Sequence, residues 1–408
     1  MVYTNALQSC GVRSVGSGQP HQGRPHHLGG KATAKVRANA ASRLGAVIAS
    51  AALAAAAAGC SSGRSMPEQA ASGFLSQYVQ ADGRVVRLDQ GRDTVSEGQA
   101  YGMLLAGALG EYGVFRRIWT WTRDHLQITS GLFAFHANPA GHIISPEPAS
   151  DADLLIAWAL LRYRGPGAAA LHLDGHAVAD AILANEVVSG PDGTLVLTAG
   201  PWATGASATL DPSYWSLPAF EGLARLTGNS QWNRLAAGAI SLTRTLTQHG
   251  RLLPPDWAVL STDGTDAAVQ PEPAPDGSAP SVQYGPDAER TVVWFATSCD
   301  PQARALAARW WQLLSAHHRA HAFALSLSGS VLDGVKGPLP LVASASAAKA
   351  AGESAAAQRL LREAVAQQRR YPTYYGGAWA ALGFTLLDTN ALSACQSAEP
   401  TNRPSSPF

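Results

Sequence analysis

The sequence predicts an all-α protein of paired helices, and three observations lead there. Apolar residues recur at helical spacing in twelve separate segments. Strand-like pieces are few: Val85 to Leu88, Thr194 to Thr198 and Leu252 to Leu253. Hydrophobic residues make up 46% of the 408-residue chain and charged residues 14%, which supports a sizeable core and argues against disorder. Twelve helices pair into six hairpins. Six hairpins can close into an (α/α)6 barrel or stack into an open solenoid, and composition does not separate the two.

The first sixty residues differ from the rest. Residues 1–43 are rich in Gly, Ser, Arg, Lys and His and show no apolar periodicity. Leu44 to Ala58 is an apolar run too short to span a bilayer comfortably, and it ends in Gly59-Cys60-Ser61-Ser62. A basic region, a short apolar region and small residues before a cleavage point describe an export signal. The Ala-Gly-Cys ending resembles the lipobox of bacterial lipoproteins, in which Cys60 is lipidated and becomes the new N-terminus. Ala57 stands where that pattern commonly has Leu, and ordinary cleavage is the alternative. Met1 lies far upstream of the signal, where an over-extended start would put it. The expected organisation is a leader over 1–60, one domain over 61–392 and a tail over 393–408. The expected location is outside the cytoplasm: the periplasm, the outer membrane through a lipid anchor, or the medium.

Cys10 would leave with the leader, so Cys299 and Cys395 remain beside Cys60. An exported compartment permits a bridge between them, and two separate buried thiols fit equally well. No CxxC or Cys/His spacing suggests zinc. His317, His318 and His321 are close in sequence without a carboxylate or Cys at ligand spacing, and read as a solvated helix end. No metal or other cofactor is implied. Net charge is +1 with no Lys/Arg stripe, which argues against nucleic acid as a partner.

In chain order the helical segments are 66–80, 96–110, 113–126, 151–163, 175–188, 213–226, 231–248, 286–297, 302–316, 341–350, 353–369 and 374–387. Ser96 stands where an N-cap would stand. Asp211-Pro212-Ser213 reads as a helix start with proline near the first turn. Gly110, Gly165 and Gly228 fall where helices end. The longest connection, about Asp256 to Pro286, contains Pro271, Pro273, Pro275 and Pro280 and reads as a long loop or lid.

Three acidic segments lie at helix starts. In Ser96-Glu97-Gly98-Gln99-Ala100-Tyr101-Gly102-Met103, two glycines in the first turns weaken a helix, so a ligand or another part of the chain should approach closely there. Glu97 could merely complement the helix dipole, which leaves the glycines unexplained. In Ala149-Ser150-Asp151-Ala152-Asp153, either aspartate alone reads as an N-cap or first-turn acid. In Tyr284-Gly285-Pro286-Asp287-Ala288-Glu289-Arg290, Asp287 and Arg290 share a helix face, and a simple cap is again an alternative. Glycosidases need two carboxyl groups across the scissile bond, one protonated and one ionised. Three acids from three helix starts can supply such a pair if they meet at one rim. A helix N-terminus favours the anion, so a proton donor placed there needs apolar cover or a neighbouring carboxylate. Asp151 is the candidate neighbour. Eleven Trp exceed what a core of this size usually needs, and flat aromatic faces suit sugar rings.

These segments together carry a specific resemblance. Ala149 to Ala159, Ala-Ser-Asp-Ala-Asp-Leu-Leu-Ile-Ala-Trp-Ala, resembles the signature of glycoside hydrolase family 8. Ser96 to Met103 resembles that family's acid-bearing segment, and Tyr284 to Arg290 resembles its Tyr-x-x-Asp-Ala-x-Arg segment. Asp211-Pro-Ser-Tyr214 and Pro255-Asp256-Trp257 match in the family's order. The likeness runs from about residue 66 to 388 and is strongest to the branch encoded with bacterial cellulose synthase. It implies an (α/α)6 barrel with an open cleft and an inverting endo-1,4-β-glucanase acting on cellulose. Glu97 matches the proton donor and Asp287 the base. Asp151 matches the signature acid, long described as a nucleophile; inversion has no covalent nucleophile, so orienting the distorted sugar suits it better. Tyr214 and Arg290 match residues lining that subsite, and Gln99, Tyr284 and Trp158 are further substrate-binding candidates. β-1,4-Glucan is the implied partner, with the cellulose synthase and export complex as a second. Gly285-Pro286 replaces a bulkier pair before the base, and Arg164 stands where the signature expects an aromatic. A non-catalytic glucan-binding scaffold lipoprotein is the competing class, and a chitosanase or xylanase the competing specificity. Retention of Glu97, Asp151 and Asp287 favours the enzyme, and no extra acidic cluster suggests chitosan.

Overall fold

The structure, a computed structural model, describes residues 63–190, 192–262, 269–316, 319–334 and 337–395. The leader with its apolar run and Cys60, the pair His317 and His318, and the tail from residue 396 lie outside the described residues. The helices are α1 (Met66–Tyr78), α2 (Ser96–Ala108), α3 (Tyr112–Leu126), α4 (Ser150–Arg162), α5 (Ala168–Asn185), α6 (Leu217–Thr227), α7 (Gln231–Leu246), α8 (Pro286–Ala296), α9 (Pro301–Leu314), α10 (Pro338–Ala350), α11 (Ser354–Arg370) and α12 (Tyr374–Asp388).

The even-numbered helices form a closed ring. α2 packs on α4, α4 on α6, α6 on α8, α8 on α10, α10 on α12, and α12 returns to α2. The odd-numbered helices lie outside, with α3 on α2, α5 on α4, α7 on α6, α9 on α8, α11 on α10 and α1 on α12. The closing contact between α12 and α2 makes this an (α/α)6 barrel and excludes the open solenoid. The residues explain the two layers. α4 buries every residue from Ser150 to Leu161, and α10 buries every residue from Pro338 to Ala348, as helices flanked on all sides must. α11 instead buries only Ala357, Leu360, Leu361, Ala364 and Val365, a single apolar stripe with water on its other face.

Four small antiparallel sheets interrupt the helices. They are β1 (Thr94–Val95), β2 (Ala134–Ala137) and β3 (Ile143–Pro148); β4 (Val187–Ser189) and β5 (Leu195–Leu197); β6 (Ser207–Leu210), β7 (Trp257–Ser261) and β8 (Val269–Glu272); and β9 (Ala324–Leu325) with β10 (Val331–Asp333). β5 falls within the strand expected at Thr194 to Thr198. Val85 to Leu88 makes only isolated bridges, Val85 with Val79 and Arg87 with Asp93. Leu252 and Leu253 form no strand, although the Leu253 N–H donates to the Leu327 carbonyl. The long loop expected from Asp256 is corrected to the β7–β8 hairpin laid on β6, with Trp257 opposite Glu272 and Leu210 opposite Ala258. Pro271 is tolerated because β8 is an edge strand, where its missing N–H faces no partner strand.

Several helix ends also differ from expectation. Ser96 is the first helical residue and its hydroxyl is buried, while Val95 stands at the N-cap. Asp211-Pro212-Ser213 opens a short 3-10 turn over Pro212–Tyr214, in which Asp211 Oδ1 accepts from the Ser213 N–H at 2.8 Å. Gly228 ends α6 in the left-handed conformation, whereas Gly165 lies beyond the Tyr163 C-cap of α4. His321 is buried with Nε2 3.3 Å from Glu363 of α11, so a solvated helix end does not describe it. Cys299 and Cys395 form a disulfide with Cα atoms 5.3 Å apart across a separation of 96 residues. On the chain-entropy account a loop of that length contributes about 4–5 kcal/mol. The bridge keeps Ser393 to Cys395 on the body of the protein, past the boundary expected at 392. Arg162 and Arg225 tie the same strap by donating to the carbonyls of Ala391 and Ala394.

Candidate active site

The first turns of α2, α4 and α8 begin without a side-chain cap of their own. Their N-cap residues are Val95, Ala149 and Gly285, none of which offers a side-chain acceptor. The positive end of each helix dipole therefore faces one rim, which suits anions. Arg290, one turn into α8 and only 4% exposed, collects the acids of all three helices. Its Nη1 donates to Glu97 Oε1 at 2.8 Å and to Asp151 Oδ2 at 2.9 Å, and its Nη2 donates to Asp287 Oδ1 at 2.9 Å. A fourth acid, Asp211, lies with Oδ2 3.6 Å from Nη2. The three acids from three helix starts do meet.

The free oxygens matter as much as the bonded ones. Tyr101 also donates to Glu97 Oε1, so both contacts fall on one oxygen. Oε2 accepts nothing among the described residues and is available to carry a proton. Asp151 spends Oδ1 on the Ala152 N–H at 2.7 Å and Oδ2 on Arg290. Asp287 gives Oδ1 to Arg290 and keeps 36% of its side chain exposed, against 15% for Glu97 and 7% for Asp151.

One guanidinium faces several carboxylates, and burial pushes Asp151, Asp211 and Asp287 toward their neutral forms. Burial pushes Asp151 up to about 7, the Arg290 charge works against that rise, and Glu97 adds to it. Burial and the neighbouring Asp287 hold Asp211 well above the usual carboxylate range. Asp287 is raised too, first by desolvation, with Arg290 opposing and Glu97 and Asp276 adding; its exposure to water keeps that rise smaller than at Asp211.

The remaining sequence candidates divide. Tyr214 joins the site, its ring 5.4 Å from the Arg290 guanidinium and edge-on to Trp257 at 6.2 Å. Gln99 does not. It is fully buried, its Oε1 accepts from the Val85 N–H, and its Nε2 donates to Thr122 at 2.8 Å, so it ties α2 to α3. Trp158 is also fully buried, stacked under Arg162 and against Gly222, where a Cβ would overlap its indole nitrogen. Tyr284 is 2% exposed and exchanges two 2.8 Å backbone bonds with Leu325. The two glycines of α2 make room for side chains: a Cβ on Gly98 would overlap the Tyr374 hydroxyl, and one on Gly102 would press on Val85 and Ile118.

Other residues escaped the sequence reading. Tyr374 and Tyr375 open α12, and both are raised well above an ordinary tyrosine by burial, with Glu97 contributing. The repeated tyrosine at a helix start was a usable signal. Trp202 is 44% exposed with its indole N–H held at 3.2 Å by the Pro148 carbonyl, just ahead of Asp151. Only the tryptophan count hinted at such a residue. Asp256 lies in a matched motif but was assigned no role; its Oδ1 accepts from the N–H groups of Gly285 and Ala288.

Comparison with known proteins agrees with this geometry. The family model for "Glycosyl hydrolases family 8" matches residues 40–329. An endoglucanase of Cellulomonas uda is 30% identical over 200 residues, 47% of this chain and 55% of that protein. A probable endoglucanase of Novacetimonas hansenii is 28% identical over 254 residues, 60% of this chain and 71% of that protein. The chain thus spans 55% and 71% of the length of these two curated relatives. Among solved structures, a family 8 endo-β-1,4-glucanase from an Achatina fulica gut metagenomic library superposes with a TM-score of 0.64 at 25% identity, covering 80% of this chain and 99% of that one. With the family match over most of its length, the closed double ring of helices and the acids at one rim, the chain belongs to glycosyl hydrolases family 8.

Proposed function

We propose that this protein is an endo-1,4-β-glucanase that hydrolyses β-1,4-glucan with inversion of configuration. The observation that carries the reading is the convergence of Glu97, Asp151 and Asp287 on Arg290 at a rim where Asp287 keeps 36% of its side chain in solvent. Glu97 delivers the proton on Oε2 to the glycosidic oxygen as the bond to the anomeric carbon breaks. Asp287, the most exposed of the three, takes a proton from the water that attacks the opposite face of that carbon. Turnover leaves Glu97 ionised and Asp287 protonated, and exchange with solvent resets both. Asp151, tied by one hydrogen bond through each oxygen, keeps a fixed orientation and suits positioning of the sugar. Tyr214 and Arg290 line the same subsite, and the anchored face of Trp202 offers a platform for a sugar ring next to it.

Outside the cleft, the signal-like run before Cys60 and the likeness to the cellulose synthase branch support export, anchoring through Cys60, and action on glucan as a synthase complex delivers it. The mass of the mature N-terminus tests the anchor. For the reaction itself, purified protein should be assayed on carboxymethylcellulose, β-glucan, chitosan and xylan, with product anomers followed by NMR in the first minutes. β-Glucan cleavage giving the inverted anomer is expected. Retained configuration would remove Asp287 as base and make Asp151 a nucleophile, and activity confined to chitosan or xylan would replace the substrate.

A further inference from the structure

α8 carries both Asp287 and Arg290, yet nothing at its own start can cap it. Gly285 at the N-cap has no side chain, and Pro286 at the first helical position has no N–H. The missing acceptor comes from 29 residues earlier in the chain. Asp256 Oδ1 accepts from the Gly285 N–H and the Ala288 N–H, both at 2.8 Å. Its Oδ2 accepts from Gln283 Nε2 at 3.0 Å, and its own N–H donates to the Gln283 carbonyl at 2.9 Å. Asp287 sits in the backbone between the two N–H groups that Asp256 grips. A Cβ on Gly285 would stand 2.5 Å from Asp256 Oδ2, so a larger residue there would make the Asp256 carboxylate shift.

The grip is anchored outside the helical ring. Asp256 immediately precedes β7, and Asp211 immediately follows β6. These strands pair Leu210 with Ala258, so one short ladder presents both acids to α8. Asp211 approaches Arg290 from one side while Asp256 holds the backbone from the other.

We propose that Asp256 is a positioning residue for the hydrolysis: by capping α8 from β7 it sets where Asp287 and Arg290 stand relative to the bound glucan, a role that rests on Asp287 being the base. A misplacement of about 1 Å at a reacting group is enough to lose about 10²-fold in rate. A purely structural cap would do no more than stabilise the helix. Asp256 does more, because the two N–H groups it holds flank Asp287 in the chain. Burial pushes Asp256 up to about 7, and the neighbouring Asp287 adds to the rise.

Two variants test this on a soluble β-1,4-glucan. Asp256→Ala removes the cap and should lower kcat about 10²-fold with KM changed less than about twofold. Asp256→Asn keeps an acceptor oxygen for both N–H groups, so it should fold normally and retain most of kcat at an unchanged KM. Should Asp256→Ala not fold, Asp256→Glu, which displaces the acceptor by one methylene, should lower kcat with KM changed less than about twofold. Wild-type kcat in Asp256→Ala or Asp256→Glu, or a loss in Asp256→Asn as large as in Asp256→Ala, would overturn the proposal. Absence of glucan hydrolysis by the wild type would instead count against the functional reading. The cap is then still testable in a crystal structure of Asp256→Ala, in which Asp287 should leave hydrogen-bond reach of Arg290.

Discussion

Two outer helices of this barrel and its three acid-bearing inner helices begin by different rules. The outer helices α1 and α9 begin with complete local caps. Ser65 and Glu68 form a capping box, and Asp300 accepts from the N–H groups of Gln302 and Ala303. The inner helices α2, α4 and α8 begin with Val95, Ala149 and Gly285, and their first turns hold acids instead. The outer helices bury one stripe, whereas α2, α4, α8, α10 and α12 bury nearly every residue. Local capping is complete at α1 and α9 and absent at α2, α4 and α8, where the helix dipoles face a carboxylate cluster. Stability lost at such a rim has to come from elsewhere, and the large shared core supplies it.

If the inner rim is built for chemistry, conservative changes there should abolish turnover and leave the fold intact. Glu97→Gln keeps shape and hydrogen bonding but delivers no proton, and Asp287→Asn leaves water without a base. Each should lower kcat on β-glucan by about 10²–10⁴-fold, with cello-oligosaccharide affinity measured by calorimetry nearly unchanged. Activity within about tenfold of wild type in either variant would break the comparison at its strongest point.

A smaller effect has the opposite sign for stability. Asp151 is pushed up to about 7 in the folded protein, mainly by burial, so the folded state binds a proton that the unfolded chain releases near pH 4. The folded state's advantage is therefore full below about pH 4, fades as pH rises and is gone above about 7. Asp151→Asn mimics the neutral form at every pH. It should stabilise the fold by on the order of 2 kcal/mol at pH 8, and by much less at pH 4, while lowering activity. Urea unfolding at the two pH values measures it, and an equal change at both would show that burial of the charge is not the cause.

The same division decides what could be read from sequence. Helices such as α3, α7 and α11 were legible from an apolar stripe, whereas α2, α4, α10 and α12 are apolar on every side and carry little periodicity. The acids were legible because each stands beside residues that a plain helix start would not choose. Layer assignment was less so: only the packing of α12 on α2 distinguishes a ring from a solenoid. Gln99 and Trp158 were mistaken for substrate contacts because proximity to a catalytic acid in sequence is not proximity in space. On a helix, Gln99 points away from Glu97 toward α3, and Trp158 lies about two turns below Asp151. The β7–β8 hairpin was hidden by its prolines, which mark an edge strand as readily as a loop. Asp256 was hidden most deeply, because a cap contributed from another element has no local pattern at all.

The smallest expected effect sharpens the contrast between the two kinds of cap. Asp300→Ala removes the acceptor for the Gln302 N–H at 2.6 Å and the Ala303 N–H at 3.3 Å, at the start of an outer helix. Loss of such an N-cap typically costs about 1 kcal/mol, which in a domain of this size lowers Tm by about 2 °C. α9 packs on α7, α8 and α10 from the outer layer and carries none of the acids, so kcat and its pH profile should match wild type. Asp300 and Asp256 each offer one carboxylate oxygen to two helix N–H groups, so the paired variants Asp300→Ala and Asp256→Ala compare like with like. A large loss of kcat in both would mean that any cap in the barrel tunes the site through general rigidity. Loss in Asp256→Ala alone, at a similar change in Tm, assigns the effect to the helix that carries Asp287.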